Sequence, residues 1–235
     1  MDTPERTELI APGQQPQGSY LVRAMAYARW RISRIDQIRI RWIRRRMTRR
    51  IRPYLAGQEF SFITQNCVGI RFSEWATDEY RSPTINLWFT PGDFLTFAED
   101  LPAYLSMTID HDVEQSAERG YPVGRLGDIS VYFTHYATID QARDQWARRA
   151  RRVRPDRIIL VMHDRDGFTD EHLARFAALP WKRKLLITAQ PKGIPQAVSV
   201  PAWAHRAEVD DTYGFVELLE PVLTDEVLRD LTATD

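Results

Sequence analysis

The sequence has one cysteine and no long apolar run. These two shortages argue against a disulfide-bonded or zinc-cysteine protein and against a membrane-spanning one. Cys67 alone can form neither a disulfide within the chain nor a cysteine-rich zinc module, which fits a reducing compartment. The longest apolar runs fall far short of the about 20 residues that a membrane-spanning helix needs. No secretory signal is visible. We therefore expect a cytoplasmic protein, either soluble or bound at the inner face of the membrane.

The chain also lacks net charge, but its charges are unevenly distributed. The 32 basic and 32 acidic residues cancel, yet residues 1–52 hold thirteen arginines against four acids. The remainder is therefore acidic. This asymmetry argues against nucleic-acid binding, because the acidic remainder would repel the phosphates that residues 1–52 attract.

The N-terminal part is predicted to consist of two segments. Residues 1–18 are rich in proline, glutamine and glycine, which predicts a disordered leader. Residues 19–52 predict a basic amphipathic helix, in which tryptophan and isoleucine interleave with arginine from Tyr20 onward. Such a helix can lie on an anionic membrane surface, where each basic residue adds about 1 kcal/mol, or it can pack on the rest of the protein. The sequence leaves both interpretations open.

Residues 53–235 predict a single α/β domain. Strand and helix patterns alternate as in βαβ units, and a chain with 43% hydrophobic residues can bury one sizeable core. We expect a mostly parallel or mixed central sheet flanked by helices and preceded by the basic amphipathic helix. Helices are expected after Thr90, from Thr138 to about Arg152, and from Thr169 to about Leu179. The predicted strands are 60–64, 85–89, 130–133, 157–162 and 185–188.

Unusual polar residues stand directly after three of these strands. Because the carboxyl ends of parallel strands gather at one edge of a sheet, we expect these residues to face one cleft. Antiparallel pairing of any strand would carry its residues to the opposite edge. The residues are Asn66 and Cys67 after the first strand, His135 and Tyr136 after the third, and Asp164, Arg165 and Asp166 after the fourth.

Each of these residue types suggests a chemical role and a plainer alternative. Asp164 and Asp166 can hold Mg²⁺ or Mn²⁺ through oxygen ligands, or form an ordinary strand-to-helix turn with Gly167. His135 can act as a general base, or its ring can bond to backbone. Cys67 can be a nucleophile activated by His135, or a small buried apolar side chain.

The segment 121–128 has two interpretations. As a loop folded over a ligand, it brings Tyr121 and Asp128 to that ligand, while Gly124 lets backbone amides approach a phosphate beside Arg125. As a tight turn before a core strand, it uses Asp128 to cap or to pair with an arginine.

A series of motifs runs in order across about residues 58–190, and together they resemble a bacterial family known as exopolysaccharide biosynthesis proteins. This family is an uncharacterised domain found in capsule and surface-polysaccharide gene clusters. The resemblance implies an α/β fold and a role in polysaccharide assembly, without an established reaction. The motifs are Gln65-Asn66-Cys67-Val68-Gly69, Ser82-Pro83-Thr84, Asp93-Phe94, Tyr121-Pro122-Val123-Gly124, Leu126-Gly127-Asp128-Ile129, His135-Tyr136, Ala142, Trp146, Arg148-Arg149, Arg165-Asp166-Gly167 and Leu179-Pro180 with Lys184.

We therefore expect a peripheral-membrane transferase, similar to a glycosyltransferase, that acts on a sugar donor and a lipid-linked or growing glycan. Asp166, with Asp164, would hold a divalent cation or a donor hydroxyl, and His135 would be the base for the acceptor hydroxyl. The expected ligand-binding residues are Asn66, Ser82, Thr84, Tyr121, Gly124, Asp128, Tyr136 and Arg165.

Two alternatives belong to other functional classes. One is an acyltransferase or hydrolase that uses Cys67 and His135. The other is a non-catalytic adaptor of a polysaccharide assembly complex that makes its contact through residues 20–52. The sequence does not determine the donor, the acceptor or the oligomeric state.

Overall fold

The computed structural model describes residues 34–76 and 79–233, apart from the side chains of residues 34 and 35. The chain divides into two units, residues 1–42 and residues 43–235. The predicted leader, residues 1–18, and the first part of the predicted basic helix, residues 19–33, lie outside the described residues. The rest of that helix belongs to α1, which spans Arg34–Leu55 and so continues past the predicted end at Arg52.

The described residues form an alternation of helices and strands. The helices after α1 are α2 (Val68–Ala76), α3 (Pro91–Glu99), α4 (Leu101–Ser106), α5 (Val113–Arg119), α6 (Ile139–Ala150), α7 (Asp170–Ala178) and α8 (Asp225–Thr232). The strands are β1 (Ser61–Thr64), β2 (Asp110–His111), β3 (Val123–Leu126), β4 (Ile129–Tyr132), β5 (Ile158–His163), β6 (Lys184–Thr188) and β7 (Ala197–Ser199).

The predicted α/β fold is confirmed by a parallel sheet with the strand order β1, β5, β6, β7. All six residues of β5 are buried, as in a strand covered by helices on both faces. Alternate side chains of β5 enter two apolar layers. Ile158, Leu160 and Met162 pack with α3, α6 and α7, whereas Ile159 and Val161 pack with α1, α2 and α8.

Residues 43–55 of α1 pack on the domain. Met47, Ile51 and Leu55 are spaced by four residues, so they share one face of the helix, and all three are buried. Arg44 strengthens this contact, because its Nη2 lies 2.7 Å from Glu217 Oε2. In the described part of the chain, no helix combines the length and apolar character that crossing a bilayer requires.

The predicted strand 130–133 does not belong to the parallel sheet. It corresponds to β4, which pairs antiparallel with β3, and β3 pairs antiparallel with β2. The segment 121–128, considered as a ligand loop, supplies β3 and the turn at Gly127, where φ is 63°. Gly124 lies inside this ladder. A Cβ at that position would collide with Ile109 and Phe133, so close packing explains this glycine.

The prediction of a strand at residues 85–89 is wrong. Asn86 has a φ of 65°, a left-handed conformation that interrupts an extended strand. Trp88 alone keeps a bridge, which it forms with Tyr132 of β4. The N–H of Phe89 donates to the carbonyl of Gln65 at 3.0 Å, so this segment joins the edge of the parallel sheet to the antiparallel one.

Candidate functional site

A cavity of about 220 Å³ lies where β1 and β5 end. Residues that follow both strands line it, as expected for parallel neighbours whose carboxyl ends meet at one edge. A distant segment and one aromatic side chain complete the wall. The lining residues are Asn66, Cys67, Trp88, Arg165, Asp166, Asp211, Thr212 and Tyr213.

A larger cavity of about 520 Å³ is formed by α4, α6 and residues 107–109. No residue that follows a strand of the parallel sheet lines it. Its Arg143 is already engaged, because Nε donates to the Ile109 carbonyl oxygen at 2.7 Å. We place the candidate site in the smaller cavity, where polar groups from adjacent strand ends converge.

The buried side chain of Gln65 locks the two strand ends together. Its Oε1 accepts a hydrogen bond from the backbone N–H of His163 at 3.0 Å. Its own backbone N–H donates to the carbonyl of Val161 at 3.1 Å. These bonds extend the ladder one step beyond the strands and hold the following residues, Asn66 and Arg165, at the cavity wall.

A chain of three polar side chains runs behind the cavity. Asn66 Nδ2 lies 3.2 Å from His163 Nδ1, and His163 Nε2 lies 3.0 Å from Thr212 Oγ1. The other end of the Asn66 amide is also used, because Oδ1 accepts from the Val68 N–H at 3.1 Å at the start of α2. Both ring nitrogens of His163 are therefore satisfied.

The His163 ring is fully buried, and burial controls its charge. Burial, and then the positive charge of Arg165, lower the pKa of His163 to about 3. The ring is therefore neutral across the physiological pH range. His163, the last residue of β5, therefore lies as a neutral side chain between Asn66 and Thr212.

Asp164 follows β5, and its side chain bonds to the backbone of Ala189 and Val209 rather than facing the cavity. Its side chain is 3% exposed, and its two oxygens accept from the backbone N–H groups of Ala189 at 2.9 Å and Val209 at 3.0 Å. Burial raises the pKa of Asp164, and these two bonds act in the opposite direction. The predicted role of Asp164 as a cation ligand with Asp166 does not fit this geometry, because Asp166 lines the cavity whereas the Asp164 carboxylate is turned to the backbone of Ala189 and Val209.

The described residues contain no group of three or more histidine, cysteine, aspartate or glutamate side chains placed to hold a metal ion. Asp166 lines the cavity, and its carboxylate is already paired with a cation, because Arg165 Nε donates to Asp166 Oδ2 at 3.0 Å. The turn that presents this pair is left-handed, with φ of 62° at Asp166 and 88° at Gly167. The backbone N–H of Asp166 donates to Glu208 Oε2 at 3.0 Å, which anchors the turn.

Residues 211–213 reach the cavity from far along the chain. Asp211 Oδ1 accepts from the Gly214 N–H at 2.8 Å, and a Cβ at position 214 would collide with the Asp211 carboxylate. The glycine thus permits this close carboxylate contact. Within the described ranges, Asp211 takes part in no ion pair, so it is the cavity carboxylate without an arginine partner.

Two aromatic side chains of the wall are held in fixed planes. Trp88 stacks on Tyr132 with ring centroids 4.2 Å apart and an angle of 15° between the planes. The guanidinium of Arg71 lies 4.3 Å from the centroid of the Tyr213 ring. Each contact covers one face of its ring and fixes the orientation of the side chain at the cavity.

Cys67 lines the cavity as a thiol rather than a thiolate. Burial, and then the negative charge of Asp211, raise the pKa of Cys67 to about 11. The sulfur lies 3.8 Å from the carbonyl oxygen of Leu87, an acceptor that suits a protonated thiol. The environment therefore opposes the nucleophilic role considered from the sequence.

Cys67 should react slowly with iodoacetamide. At pH 7.5 a thiol with a pKa of about 11 has about 300-fold less thiolate than an unperturbed cysteine, and only the thiolate reacts. Intact-mass measurement over time should show this slow labelling, with a rate that rises steadily as the pH is raised to 10. Fast labelling that levels off near pH 7 would instead reveal an activated nucleophile.

Ser82 and Thr84, expected to bind a ligand, are fully buried. The two hydroxyl oxygens lie 2.9 Å apart, and Thr84 Oγ1 accepts from the backbone N–H of Thr64 at 2.9 Å. The same hydroxyl lies 3.4 Å from the Phe62 carbonyl oxygen. The Thr84 hydroxyl therefore bonds to backbone groups at the outer edge of β1, on the side where no other strand of the described sheet pairs with β1.

The residues proposed from segment 121–128 do not line the cavity. Tyr121 precedes β3, and Gly124 is buried within that strand. Asp128 accepts a hydrogen bond from the Tyr104 hydroxyl at 2.5 Å, a contact that matches neither of the two partners expected for it. The antiparallel pairing of β3 with β4 turns this segment into part of a hairpin.

His135 and Tyr136 follow an antiparallel strand, and neither lines the cavity. His135 is exposed. Tyr136 is buried, and its hydroxyl donates to the Ile85 carbonyl at 2.9 Å while accepting from Arg149 Nη1 at 2.8 Å. Arg149 is itself 8% exposed.

Comparison with known families places this architecture among related proteins. The sequence profile described as Domain of unknown function (DUF1919) matches residues 38–228. The chain belongs to the DUF1919 family. It is similar to a protein of Haemophilus influenzae described as an uncharacterized protein, with 29% identity over 170 residues, which cover 72% of this chain and 81% of the relative.

The DUF1919 match includes every residue that lines the cavity, and it extends past the motifs recognised across about residues 58–190. The functional candidates that the sequence did not reveal are Trp88, Asp211, Thr212 and Tyr213. The local signal for three of them was the polar and aromatic run Asp210-Asp211-Thr212-Tyr213-Gly214. This run does not directly follow a strand of the parallel sheet. The rule that gathers the residues after parallel strands at one edge therefore could not predict its position at the cavity.

Proposed function

We propose that this DUF1919 protein is a transferase of polysaccharide biosynthesis that holds one sugar unit in the cavity at the ends of β1 and β5. The observation that carries the proposal is the joint presence of Trp88 and Tyr213 with Asp166 and Asp211 in one small cavity. The C–H groups of a sugar ring are weakly positive and pack on aromatic faces, and carboxylates accept bonds from its hydroxyls.

The size of the cavity favours a single sugar ring. Pockets that enclose drug-sized ligands measure about 300 to 1,000 Å³. At about 220 Å³, this cavity is too small to enclose a whole nucleotide sugar. We infer that the sugar enters the cavity while the rest of a donor or glycan stays outside it.

The charged side chains suggest distinct roles in transfer. Asp166 is paired with Arg165, so it is suited to hold a sugar hydroxyl in place. Asp211 has no ion-pair partner among the described residues and is the better base. It would take the proton of the acceptor hydroxyl as that oxygen bonds to the anomeric carbon and the leaving group departs with its electron pair. This assignment replaces His135, which lies outside the cavity.

Two further lines support polysaccharide assembly at a membrane surface. The motifs across about residues 58–190 resemble exopolysaccharide biosynthesis proteins. On α1, Arg45, Arg49 and Arg52 are exposed, and such residues are attracted to anionic lipid.

Sedimentation with vesicles containing phosphatidylserine tests the attraction of these arginines to anionic lipid, and the protein should sediment with these vesicles. Equal sedimentation with neutral phosphatidylcholine vesicles would contradict it.

A cysteine-dependent acyltransferase is the less favoured alternative. It requires a thiolate at Cys67 with His135 as its partner. The raised pKa of Cys67 and the position of His135 outside the cavity both count against that pairing.

Sugar binding and glycan production in a complemented deletion strain test the proposal together. Ligand-observed NMR with glucose, galactose and N-acetylglucosamine should detect binding to the wild-type protein, and Trp88→Ala should weaken that binding at least tenfold. Asp211→Asn should abolish glycan production at an unchanged protein level. The matched control is Asp140→Asn, because the Asp140 side chain is 85% exposed and outside the cavity. Normal glycan production by Asp211→Asn, or no binding of any sugar, would refute the proposal.

A further inference from the structure

The orientation of one hydroxyl in the cavity follows from the hydrogen-bond chain behind it. The Val68 N–H can only donate, so the Asn66 atom that faces it at 3.1 Å must be the amide oxygen. The amide nitrogen of Asn66 therefore faces His163 Nδ1, at 3.2 Å. Because an amide nitrogen only donates, Nδ1 must accept.

This bond fixes the position of the proton on the imidazole. A neutral imidazole accepts at one nitrogen and carries hydrogen on the other. The neutral state of His163 follows from its complete burial. Its hydrogen must therefore sit on Nε2, which donates to Thr212 Oγ1 at 3.0 Å.

The Thr212 hydroxyl is consequently an acceptor toward His163, and its own hydrogen is directed elsewhere. No acceptor for that hydrogen is found within residues 34–76 and 79–233. Thr212 is nonetheless 1% exposed and lines the cavity. A hydroxyl held in this way can serve a ligand as a hydrogen-bond donor.

The charges of the cavity wall select among ligand oxygens. Arg165 is balanced by Asp166, and Asp211 adds one further negative charge. His163 contributes no charge. This net negative wall would therefore repel a carboxylate or phosphate on the sugar, whereas it would not repel an uncharged oxygen.

We propose that Thr212 donates a hydrogen bond to an oxygen of an uncharged sugar, with Asn66 and His163 as positioning residues, so that the cavity selects neutral sugars over acidic ones. The proposal rests on the proposed sugar-binding function and adds the substrate class. Asn66, expected from the sequence to contact the ligand directly, is thereby given a second role, in which it orients the Thr212 hydroxyl through His163.

The imidazole tautomer provides a test that needs no ligand. Long-range ¹H–¹⁵N correlation NMR of the full-length protein at pH 7 should show His163 with hydrogen on Nε2. In Asn66→Asp, one carboxylate oxygen still accepts from Val68, and the other now requires a donor at Nδ1. The hydrogen should therefore move to Nδ1. Hydrogen on Nδ1 in the wild-type protein would overturn the proposed orientation of Thr212.

Binding measurements test the substrate class separately. Glucose and glucuronate differ only at C6, and we expect glucose to bind at least tenfold more tightly. Thr212→Val should weaken glucose binding about tenfold, since a hydrogen bond is lost, and Thr212→Ser should restore most of it. Asn66→Asp should weaken glucose binding as much as Thr212→Val. Asn86→Asp, whose side chain does not line the cavity, is the matched control.

The possible failures are distinguishable. Tighter binding of glucuronate than glucose, or wild-type affinity in Thr212→Val, overturns the inference and leaves the proposed sugar-binding function standing. Absence of binding by any sugar overturns the proposed function and, with it, the substrate class. The control for folding is the amide NMR spectrum of Thr212→Val, which should match that of the wild type for residues away from the cavity.

Discussion

Replacing Asp164 with alanine should lower the free energy of unfolding by about 3 kcal/mol. The change leaves the buried N–H groups of Ala189 and Val209 without their acceptors at 2.9 and 3.0 Å. Each unsatisfied buried group costs about 1 to 3 kcal/mol. Part of this loss is offset, because the buried carboxylate is itself penalised, as its raised pKa indicates. Asp164→Asn keeps one acceptor and should lose less.

Asp164→Ala should also weaken sugar binding, in addition to lowering the free energy of unfolding. Val209 begins the stretch that leads to Asp211, Thr212 and Tyr213 in the cavity wall. Without the carboxylate, this stretch loses its bond to the end of β5, so sugar binding should fall even at a temperature where the protein remains folded.

Urea unfolding monitored by circular dichroism gives the stability change of Asp164→Ala, and ligand-observed NMR with glucose at low temperature gives the change in binding. Asp170→Asn is the control, because Asp170 is exposed in the first turn of α7. It should change stability by less than about 0.5 kcal/mol. An Asp164→Ala protein as stable as this control would show that the two N–H bonds contribute little.

Lowering the pH from 7 to 5 should cost about 2 kcal/mol of unfolding free energy through His163. The pKa of His163 is about 3 in the folded protein, against 6.5 for the unperturbed side chain. Between these values the unfolded chain binds a proton that the folded protein does not bind. The stabilising contribution is therefore complete above pH 6.5 and is lost as the pH falls toward 3.

Urea unfolding at both pH values isolates this contribution when the wild type is compared with His163→Gln. The variant should lose about 2 kcal/mol less than the wild type on acidification, whatever its stability at pH 7. The comparison cancels the carboxylates, including Asp93 and Asp164, whose raised pKa values act with the opposite sign. His205→Gln, at an exposed position, should behave as the wild type does. Parallel losses in all three proteins would mean that His163 is protonated in the folded state.

Much of the parallel sheet was predictable because its strands carry a strong signal. β1, β5 and β6 are short apolar runs followed by polar residues, and each was predicted to within about one residue. β7 was missed, since its three residues are only partly buried and lack a continuous apolar run. The strand predicted at 85–89 was wrong, because the apolar pattern conceals the left-handed Asn86.

The site was predictable only as far as neighbouring strands define it. Asn66, Cys67, Arg165 and Asp166 meet in one cavity because β1 and β5 are parallel neighbours. His135 and Tyr136 were placed there by the same rule, and they lie outside the cavity because β4 is antiparallel. Hydropathy patterns indicate that a strand exists but do not specify its partner.

By itself, the sequence determined the α/β class, the apolar strands β1, β5 and β6, and the polar residues at their carboxyl ends, because all of these follow from local periodicity and burial. Tertiary structure alone decided that Asp164 joins β5 to Val209 and that Thr212 meets His163. Hydrogen bonds between residues more than 40 positions apart leave no periodic trace in a sequence. They form only when packing removes water from both partners and each must satisfy the other.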